Sequence, residues 1–322
     1  AIAMGVCHQD SPSKASALVS ERKHAVCAGH VTADTYGDYA AQVMRAAAWP
    51  WPEHVLLDPA KRPRFVSSLE QFIDEVQSGC HLNEIIVFPG GMHMLGQEDA
   101  MDPRIALACG LTREEGSVDD APATAYDVLE RLAKDGLVGK LKGKVMYRKS
   151  LARKQDSAAG GFCNSCLAPK WEALQKDCPA AARESVYLAE VRKMEPEPCT
   201  MGLRRKRKTT LRTTMRERLH QLGMDVHAML WWDDYNEGFF CGAGCSGYDL
   251  HVDSTPTSNI GSVYAGHKML AIWRFPEDSR AVLKKHGREH FVQPLSQRQV
   301  ESLEAACSVA LAPPGSLYVF SG

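Results

Sequence analysis

Residues 239–273, FFCGAGCSGYDLHVDSTPTSNIGSVYAGHKMLAIW, carry the pattern from which the fold of this chain is predicted. His251 and Asp253 lie two positions apart, and Lys268 begins an apolar run after a turn-rich segment. Residues i and i+2 of a β-strand point to the same face. The His-x-Asp pair therefore predicts an imidazole nitrogen and a carboxylate oxygen side by side, as two ligands of one metal ion require.

The combination of these residues favours one kind of metal site. Two histidines and one carboxylate with open coordination positions form the ligand set of non-haem Fe(II) oxygenases. Lys268 strengthens this interpretation, because an organic acid bound to such an iron needs a cation at its far end. Each feature alone also fits an ordinary role: the His-x-Asp pair fits a polar turn, and Lys268 fits a solvated surface lysine.

The stretch resembles the metal and cosubstrate strands of the JmjC-domain (cupin-type) Fe(II)/2-oxoglutarate-dependent oxygenases. The shared features are a Gly-rich approach strand, Leu250-His251-Val252-Asp253, Thr257-Ser258, Gly266-His267-Lys268 and the turn Pro313-Pro314-Gly315 before a last strand. The resemblance covers residues 185–322. It implies a double-stranded β-helix, which is a jelly roll of two sheets.

The resemblance also implies a role for each residue of the site. His251 and Asp253 are the expected catalytic and iron-binding residues, and the third ligand, a histidine, is expected just past Gly322. The expected cosubstrate-binding residues are Lys268, Tyr248, Thr257 and Asn259. The implied cofactors are Fe(II) and 2-oxoglutarate, with ascorbate as a reductant.

Two positions depart from the family pattern. Tyr248 stands three residues before His251, where the family has Thr, and Gly261 stands ten residues after it, where the family often has Asn or Tyr. Tyr248 still offers a hydroxyl. Glycine has no side chain to reach the cosubstrate, so a polar group from Asn259 or Tyr264 is expected to replace it. These departures leave two functions open.

The first function is hydroxylation or N-demethylation of a lysine or arginine side chain in a histone or another nuclear protein. The alternative is a catalytically impaired JmjC-like module that binds chromatin or RNA through the basic residues 203–218, LRRKRKTTLRTTMRER. The run Arg204–Lys208 is typical of nuclear import signals and of phosphate-binding segments, and it also fits a solvated loop. A nuclear location is therefore expected, with the cytoplasm as the alternative.

Length and composition predict a folded chain of more than one part. The 322 residues exceed one average domain, and a hydrophobic content of 44% is enough for a sizeable core. No apolar run is long enough to suggest a membrane span. The net charge of −1 excludes nucleic-acid binding by bulk charge alone. The 11 cysteines are expected to be reduced thiols, because no secretory signal is visible.

Short strands separated by turns predict an α+β chain that ends in a JmjC-like jelly roll. The expected parts are a mixed, partly helical region at 1–147, a linker at 148–184 and the jelly roll at 185–322. The linker holds the pair Cys163 and Cys166 in a C-x-x-C spacing. That pair also fits half of a zinc site, although the next cysteines along the chain are poorly spaced to complete it.

Two amphipathic helices are predicted in the N-terminal region. Ser67 and Glu70 have the spacing of a capping box, and Gly79 ends the helix that follows. Its apolar stripe at helical spacing consists of Leu69, Phe72, Ile73 and Val76. The second helix is predicted from Thr124 to Asp135.

Overall fold

The structure is a computed structural model that describes residues 2–4, 31–47, 57–95, 101–111, 124–147, 165–194, 221, 223, 238–242, 258–273, 297–298, 301 and 307–321. The strands in these ranges are β1 (Ile2–Met4), β2 (Arg64–Phe65), β3 (Ile86–Phe88), β4 (Leu141–Met146), β5 (Ser165–Cys166), β6 (Tyr187–Lys193), β7 (Phe239–Gly242), β8 (Ser258–Ser262), β9 (Lys268–Trp273), β10 (Cys307–Ala312) and β11 (Leu317–Ser321). The α-helices are α1 (Tyr36–Ala47), α2 (Leu69–Gln77), α3 (Gly91–Met94), α4 (Pro103–Ala108), α5 (Ala125–Lys134) and α6 (Leu167–Asp177).

The chain divides into two compact units that alternate along the sequence. Unit 1 is formed from Ala1–Glu98, Leu222–Trp231 and Gly247–Gly322, and unit 2 from Asp99–Gln221 and Trp232–Ser246. The expected boundaries at residues 147 and 184 do not coincide with this division. The reason is visible in the strand pairing, since β3 from the N-terminal region pairs with β11 near the C-terminus.

The described residues of unit 1 form two sheets. Sheet A has the antiparallel order β1-β9-β10. Sheet B has the order β2-β3-β11-β8, in which β2 and β3 are parallel and the other pairs antiparallel. Along the chain, β8 therefore pairs with β11, and β9 pairs with β10. The successive strands β8 and β9 therefore lie in different sheets, as do β10 and β11.

Sheets A and B share one hydrophobic cluster. Its buried members lie on or next to strands of both sheets, and they are Ile85, Val87, Val263, Leu270, Ile272, Ala310, Ala312, Tyr318 and Phe320. Alternate residues of each strand contribute, because alternate side chains share a face. Helix α1 is joined to sheet A by the Tyr36 hydroxyl, which accepts a hydrogen bond from the Leu311 backbone N–H at 2.7 Å. Unit 1 thus has a core enclosed by two sheets.

Unit 2 is built on sheet C, with the antiparallel order β5-β4-β6-β7. Its hydrophobic cluster combines side chains from α4, α5 and α6 with those of the sheet, and includes Ile105, Leu129, Leu132, Val145, Leu167, Leu174 and Leu188. The rings of Tyr126 and Trp171 join α5 to α6 with their centroids 5.2 Å apart. Unit 2 is therefore a layer of helices on one sheet.

Strand β6 contains a bulge at Glu190. This residue has a φ of 53°, a conformation that no other non-glycine residue among those described adopts. The register shifts between Leu188 and Val191 where β6 faces β7. The Glu190 carboxylate forms an ion pair with the Lys144 ammonium of β4. Gly238 packs on the bulge, and a Cβ there would approach the Glu190 Cα to 2.6 Å.

Both predicted helices are present. Helix α2 buries its predicted stripe of Leu69, Phe72, Ile73 and Val76. Its N-cap is Ser68, whose hydroxyl accepts a hydrogen bond from the Gln71 backbone N–H at 3.1 Å. The capping box predicted for Ser67 and Glu70 is therefore wrong by one position. Helix α5 has the predicted limits, with Thr124 as its N-cap and Asp135 as its C-cap.

The predicted α+β class is confirmed, and the sheets are largely antiparallel. The described strands do not close into a barrel. Among the described residues, no helix has the length and apolar character needed to cross a membrane.

Candidate functional site

The structure gives positions for two of the residues predicted to form the site, Lys268 and Asn259. The remaining predicted site residues lie outside the described residues, and they are His251, Asp253, Tyr248 and Thr257. The basic residues 203–218 and Cys163 also lie outside them. The side of the site that is described is therefore the one expected to bind the cosubstrate.

Lys268 is the first residue of β9 and lies opposite Ala312 of β10. Leu270 and Ile272, the next alternate residues of the strand, belong to the cluster shared by sheets A and B. Because alternate residues share a face, Lys268 lies on the interior face of sheet A, at the end of its strand. Its side chain is half-buried.

The Lys268 ammonium nitrogen lies 5.4 Å from the centroid of the Tyr318 ring. Tyr318 is a residue of β11 in sheet B and is 8% exposed. The contact therefore joins the two sheets across their common interior. A cation within about 6 Å of an aromatic ring is attracted by the negative face of the ring. The tyrosine ring thus helps to position the ammonium group.

Gly261 lies directly opposite Tyr318 in the β8–β11 pair. A Cβ on Gly261 would approach the Tyr318 Oη to 2.2 Å and its Cζ to 2.3 Å. Atoms in ordinary van der Waals contact are about 3.5–4.0 Å apart, so the two side chains exclude each other. The phenol of Tyr318 occupies the space that a side chain at position 261 would fill. The sequence predicts that Asn259 or Tyr264 supplies the polar group that Gly261 lacks. It gives no signal for Tyr318, which the structure places at that position.

Asn259 lies two positions before Gly261 on β8 and therefore on the same face of sheet B. Its partner across the strand pair is Phe320. The Phe320 ring is parallel to the Tyr318 ring, with the centroids 6.0 Å apart and an interplanar angle of 1°. Asn259 and the Tyr318 hydroxyl are thus neighbouring polar groups on the interior face of sheet B.

His267 contacts a different part of unit 1. Its Nδ1 lies 2.8 Å from the Oη of Tyr39 on helix α1, in a hydrogen bond. The two rings are tilted, with centroids 5.7 Å apart. Desolvation by this packing lowers the pKa of His267 below its ordinary value. The residue therefore connects the start of β9 to α1 and is separated in role from its neighbour Lys268.

Within the described ranges, no group of three or more His, Cys, Asp or Glu side chains is arranged to hold a metal ion. The iron ligands His251 and Asp253 remain predictions, since they lie outside those ranges. Of the C-x-x-C pair, Cys166 is described, and its Sγ lies 3.7 Å from the Val138 carbonyl oxygen. That contact gives no support to a zinc site.

Unit 2 contains a pair of neighbouring thiols that the sequence did not single out. Cys109 is the C-cap of α4, and Cys241 belongs to β7. Interaction between the two thiols raises the pKa of Cys109 and lowers that of Cys241, and desolvation acts to raise both. Both side chains pack against the apolar cluster of this unit.

Comparisons of the chain with protein families, with curated proteins and with solved structures find no match. The resemblance to the JmjC oxygenases therefore depends on the residues quoted above and stays a prediction.

Proposed function

We propose that this chain is an Fe(II)- and 2-oxoglutarate-dependent oxygenase that hydroxylates or N-demethylates a lysine or arginine side chain of a protein. The observation that carries the proposal is the place of Lys268, on the interior face of a two-sheet core and beside the Tyr318 ring. An ammonium group in such a place suits the carboxylate of an acid that enters at the end of the strand.

The strand pairing supports the jelly-roll part of the proposal. The β8–β11 pair and the β9–β10 pair belong to different sheets that share one core. A jelly roll folds its strands into two facing sheets, and the division of β8–β11 between sheets A and B agrees with that arrangement. The segment that carries His251 and Asp253 precedes β8 in the chain. The predicted metal ligands are thus next in sequence to the strand that faces Tyr318.

The described residues fit the far carboxylate of 2-oxoglutarate. The Lys268 ammonium donates charge-assisted hydrogen bonds, and the Tyr318 phenol and the Asn259 amide are further donors on the facing sheet. Apolar neighbours such as Leu270 and Phe320 exclude water, which strengthens these contacts. His251 and Asp253 would hold Fe(II), and iron and 2-oxoglutarate together supply the oxidising chemistry when bound.

The test is conversion of 2-oxoglutarate to succinate by the full-length protein with Fe(II) and ascorbate, in the presence of lysine, methyl-lysine and arginine peptides. Turnover should be lost in His251→Ala and in Lys268→Met. Lys134→Met is the matched control, because Lys134 is an exposed residue of α5 that pairs with Glu130 one helical turn away. Turnover that survives in His251→Ala would contradict the proposal.

The alternative function has its own signature in the same experiments. A module without catalysis would not convert 2-oxoglutarate, and would bind RNA or DNA with an affinity that falls steeply with salt. Neutralising Arg204–Lys208 would remove that binding. Nuclear import through the same run is a further part of the proposal, tested by the location of the neutralised protein in cells.

A further inference from the structure

We propose that Tyr318 binds the acid in place of the side chain that Gly261 lacks, so that a dicarboxylic acid is held by a lysine and a tyrosine from facing sheets. This role rests on the proposed function, since the acid in question is its cosubstrate. Tyr318 would then determine specificity from a strand in which the sequence pattern indicated no such residue.

A side chain at position 261 and the Tyr318 ring would overlap. Position 261 and Tyr318 are direct partners in the β8–β11 register, and a Cβ at 261 would lie 2.2 Å from the Tyr318 Oη. The tyrosine therefore requires glycine at its partner position, and glycine there leaves a gap that the phenol fills. The two residues act as one unit, in which one position provides the space and the other provides the polar group.

The Tyr318 ring is held in position by its neighbours. The Tyr318 ring is parallel to the ring of Phe320 on the same strand, β11, and Gly261 lies opposite Tyr318 on β8. It is 8% exposed and belongs to the cluster shared by the two sheets. A ring enclosed in this way loses little further freedom when a ligand binds, so its hydroxyl is preorganised.

Lys268 and Tyr318 provide two different hydrogen-bond donors. A carboxylate has two oxygens that each accept hydrogen bonds, and it binds best to several donors. The Lys268 ammonium supplies charge and lies 5.4 Å from the Tyr318 ring centroid. The Tyr318 hydroxyl is a neutral donor on the opposite sheet. A dicarboxylic acid that reaches between the sheets therefore meets one cationic donor and one phenolic donor.

The direct test is the affinity for 2-oxoglutarate, measured by calorimetry on the full-length protein with redox-inert Mn(II), so that no turnover is needed. Tyr318→Phe keeps the ring and removes the hydroxyl, and its Kd should rise about tenfold, as expected for loss of one hydrogen bond to a charged group. Lys268→Met should abolish measurable binding. Tyr126→Phe is the matched control, since Tyr126 belongs to α5 of unit 2 and packs against Trp171 there. Its Kd should be unchanged.

A second test exchanges the two positions. Gly261→Asn alone should lower the melting temperature strongly, because its Cβ overlaps the Tyr318 phenol. The double variant Gly261→Asn with Tyr318→Ala should regain both folding and 2-oxoglutarate binding, since the amide then has the space of the ring. A double variant that melts no higher than Gly261→Asn would show that the Tyr318 phenol is not what excludes a side chain at position 261.

The outcomes separate this role from the proposed function. If Tyr318→Phe binds 2-oxoglutarate as tightly as the parent protein while Lys268→Met does not, the tyrosine has no part in binding and the oxygenase proposal stands. If the parent protein does not bind 2-oxoglutarate at all, both fail together.

Discussion

Both units carry a lysine on an interior face, and the two lysines have different surroundings. In unit 2, Lys170 of α6 is 3% exposed, and its ammonium donates a hydrogen bond to the Gly143 carbonyl oxygen of β4. In unit 1, Lys268 is half-buried at the end of a strand and lies beside the Tyr318 ring. Lys170 fastens a helix to a sheet, whereas Lys268 lies at the end of a strand beside an aromatic ring of the facing sheet. Burial of a charge therefore identifies a functional residue only when the surroundings of the charge are known.

Two glycines repeat the same contrast. Gly238 of unit 2 is pressed against the backbone of Glu190, which cannot be replaced by mutation. Gly261 of unit 1 is pressed against the phenol of Tyr318, which is a side chain and can be exchanged. The contact in unit 2 is structural, and the contact in unit 1 defines the composition of the proposed site.

The largest effect on stability is expected from Gly238→Ala. The new methyl group would lie 2.6 Å from the Glu190 Cα, so strand β6 or the segment before β7 must shift, at a cost of about 3 kcal/mol in the free energy of unfolding. Gly139→Ala is the matched control, because a Cβ there meets nothing within 4 Å. Urea unfolding of both variants measures the difference. Equal stability of the two would show that the bulge at Glu190 adapts freely.

Replacement of each of the two lysines by methionine should change the free energy of unfolding by different amounts. Lys170→Met leaves the Gly143 carbonyl without its ammonium donor and should lower the free energy of unfolding by about 2 kcal/mol. Lys268→Met should lower it by less than that, because Lys268 is only half-buried and methionine fills similar space beside the Tyr318 ring. Thermal unfolding of both variants without ligand makes the comparison. A Lys268→Met variant as unstable as Lys170→Met would mark Lys268 as structural.

The smallest effect is a loss of stability of unit 1 in weak acid. Burial lowers the pKa of His81, and desolvation lowers that of His267. The unfolded chain then binds protons that the folded chain does not, so the free energy of unfolding should fall as the pH drops below about 6.5 towards the folded pKa values.

The described part of unit 2 has no histidine. Protection factors from hydrogen exchange, corrected for the intrinsic rate at each pH, should therefore be lower at about pH 5.5 than at about pH 7.5 in unit 1 and equal at the two pH values in the described part of unit 2. His267→Gln keeps a partner for the Tyr39 hydroxyl and should weaken the pH dependence. An equal fall of the protection factors in both units would exclude the histidines as its cause.

Local sequence signals predicted two of the six described α-helices, α2 and α5, whereas α6 lies in the segment expected to be a linker. The stripe of α2 and the limits of α5 follow from apolar spacing and from capping residues that lie within a few positions of one another. The N-cap of α2 was misplaced by one residue because Ser67 and Ser68 carry the same hydroxyl group. In the structure the Ser68 hydroxyl accepts from the Gln71 backbone N–H, whereas the Ser67 backbone N–H donates to the Gln71 side-chain oxygen. Where two neighbouring residues are equally suitable caps, packing selects one of them, and sequence spacing gives no information about packing.

By itself, the sequence determined the α+β class, helices α2 and α5 and the choice of candidate residues in 239–273, because propensity, capping and alternation act over short stretches of chain. The tertiary structure alone decided that β3 pairs with β11, that the chain passes between two units, and that Tyr318 lies on Gly261. Gly261 and Tyr318 are far apart in the chain, and their contact depends on strand register. Register is set by the whole hydrophobic face of a sheet, so no short motif encodes it.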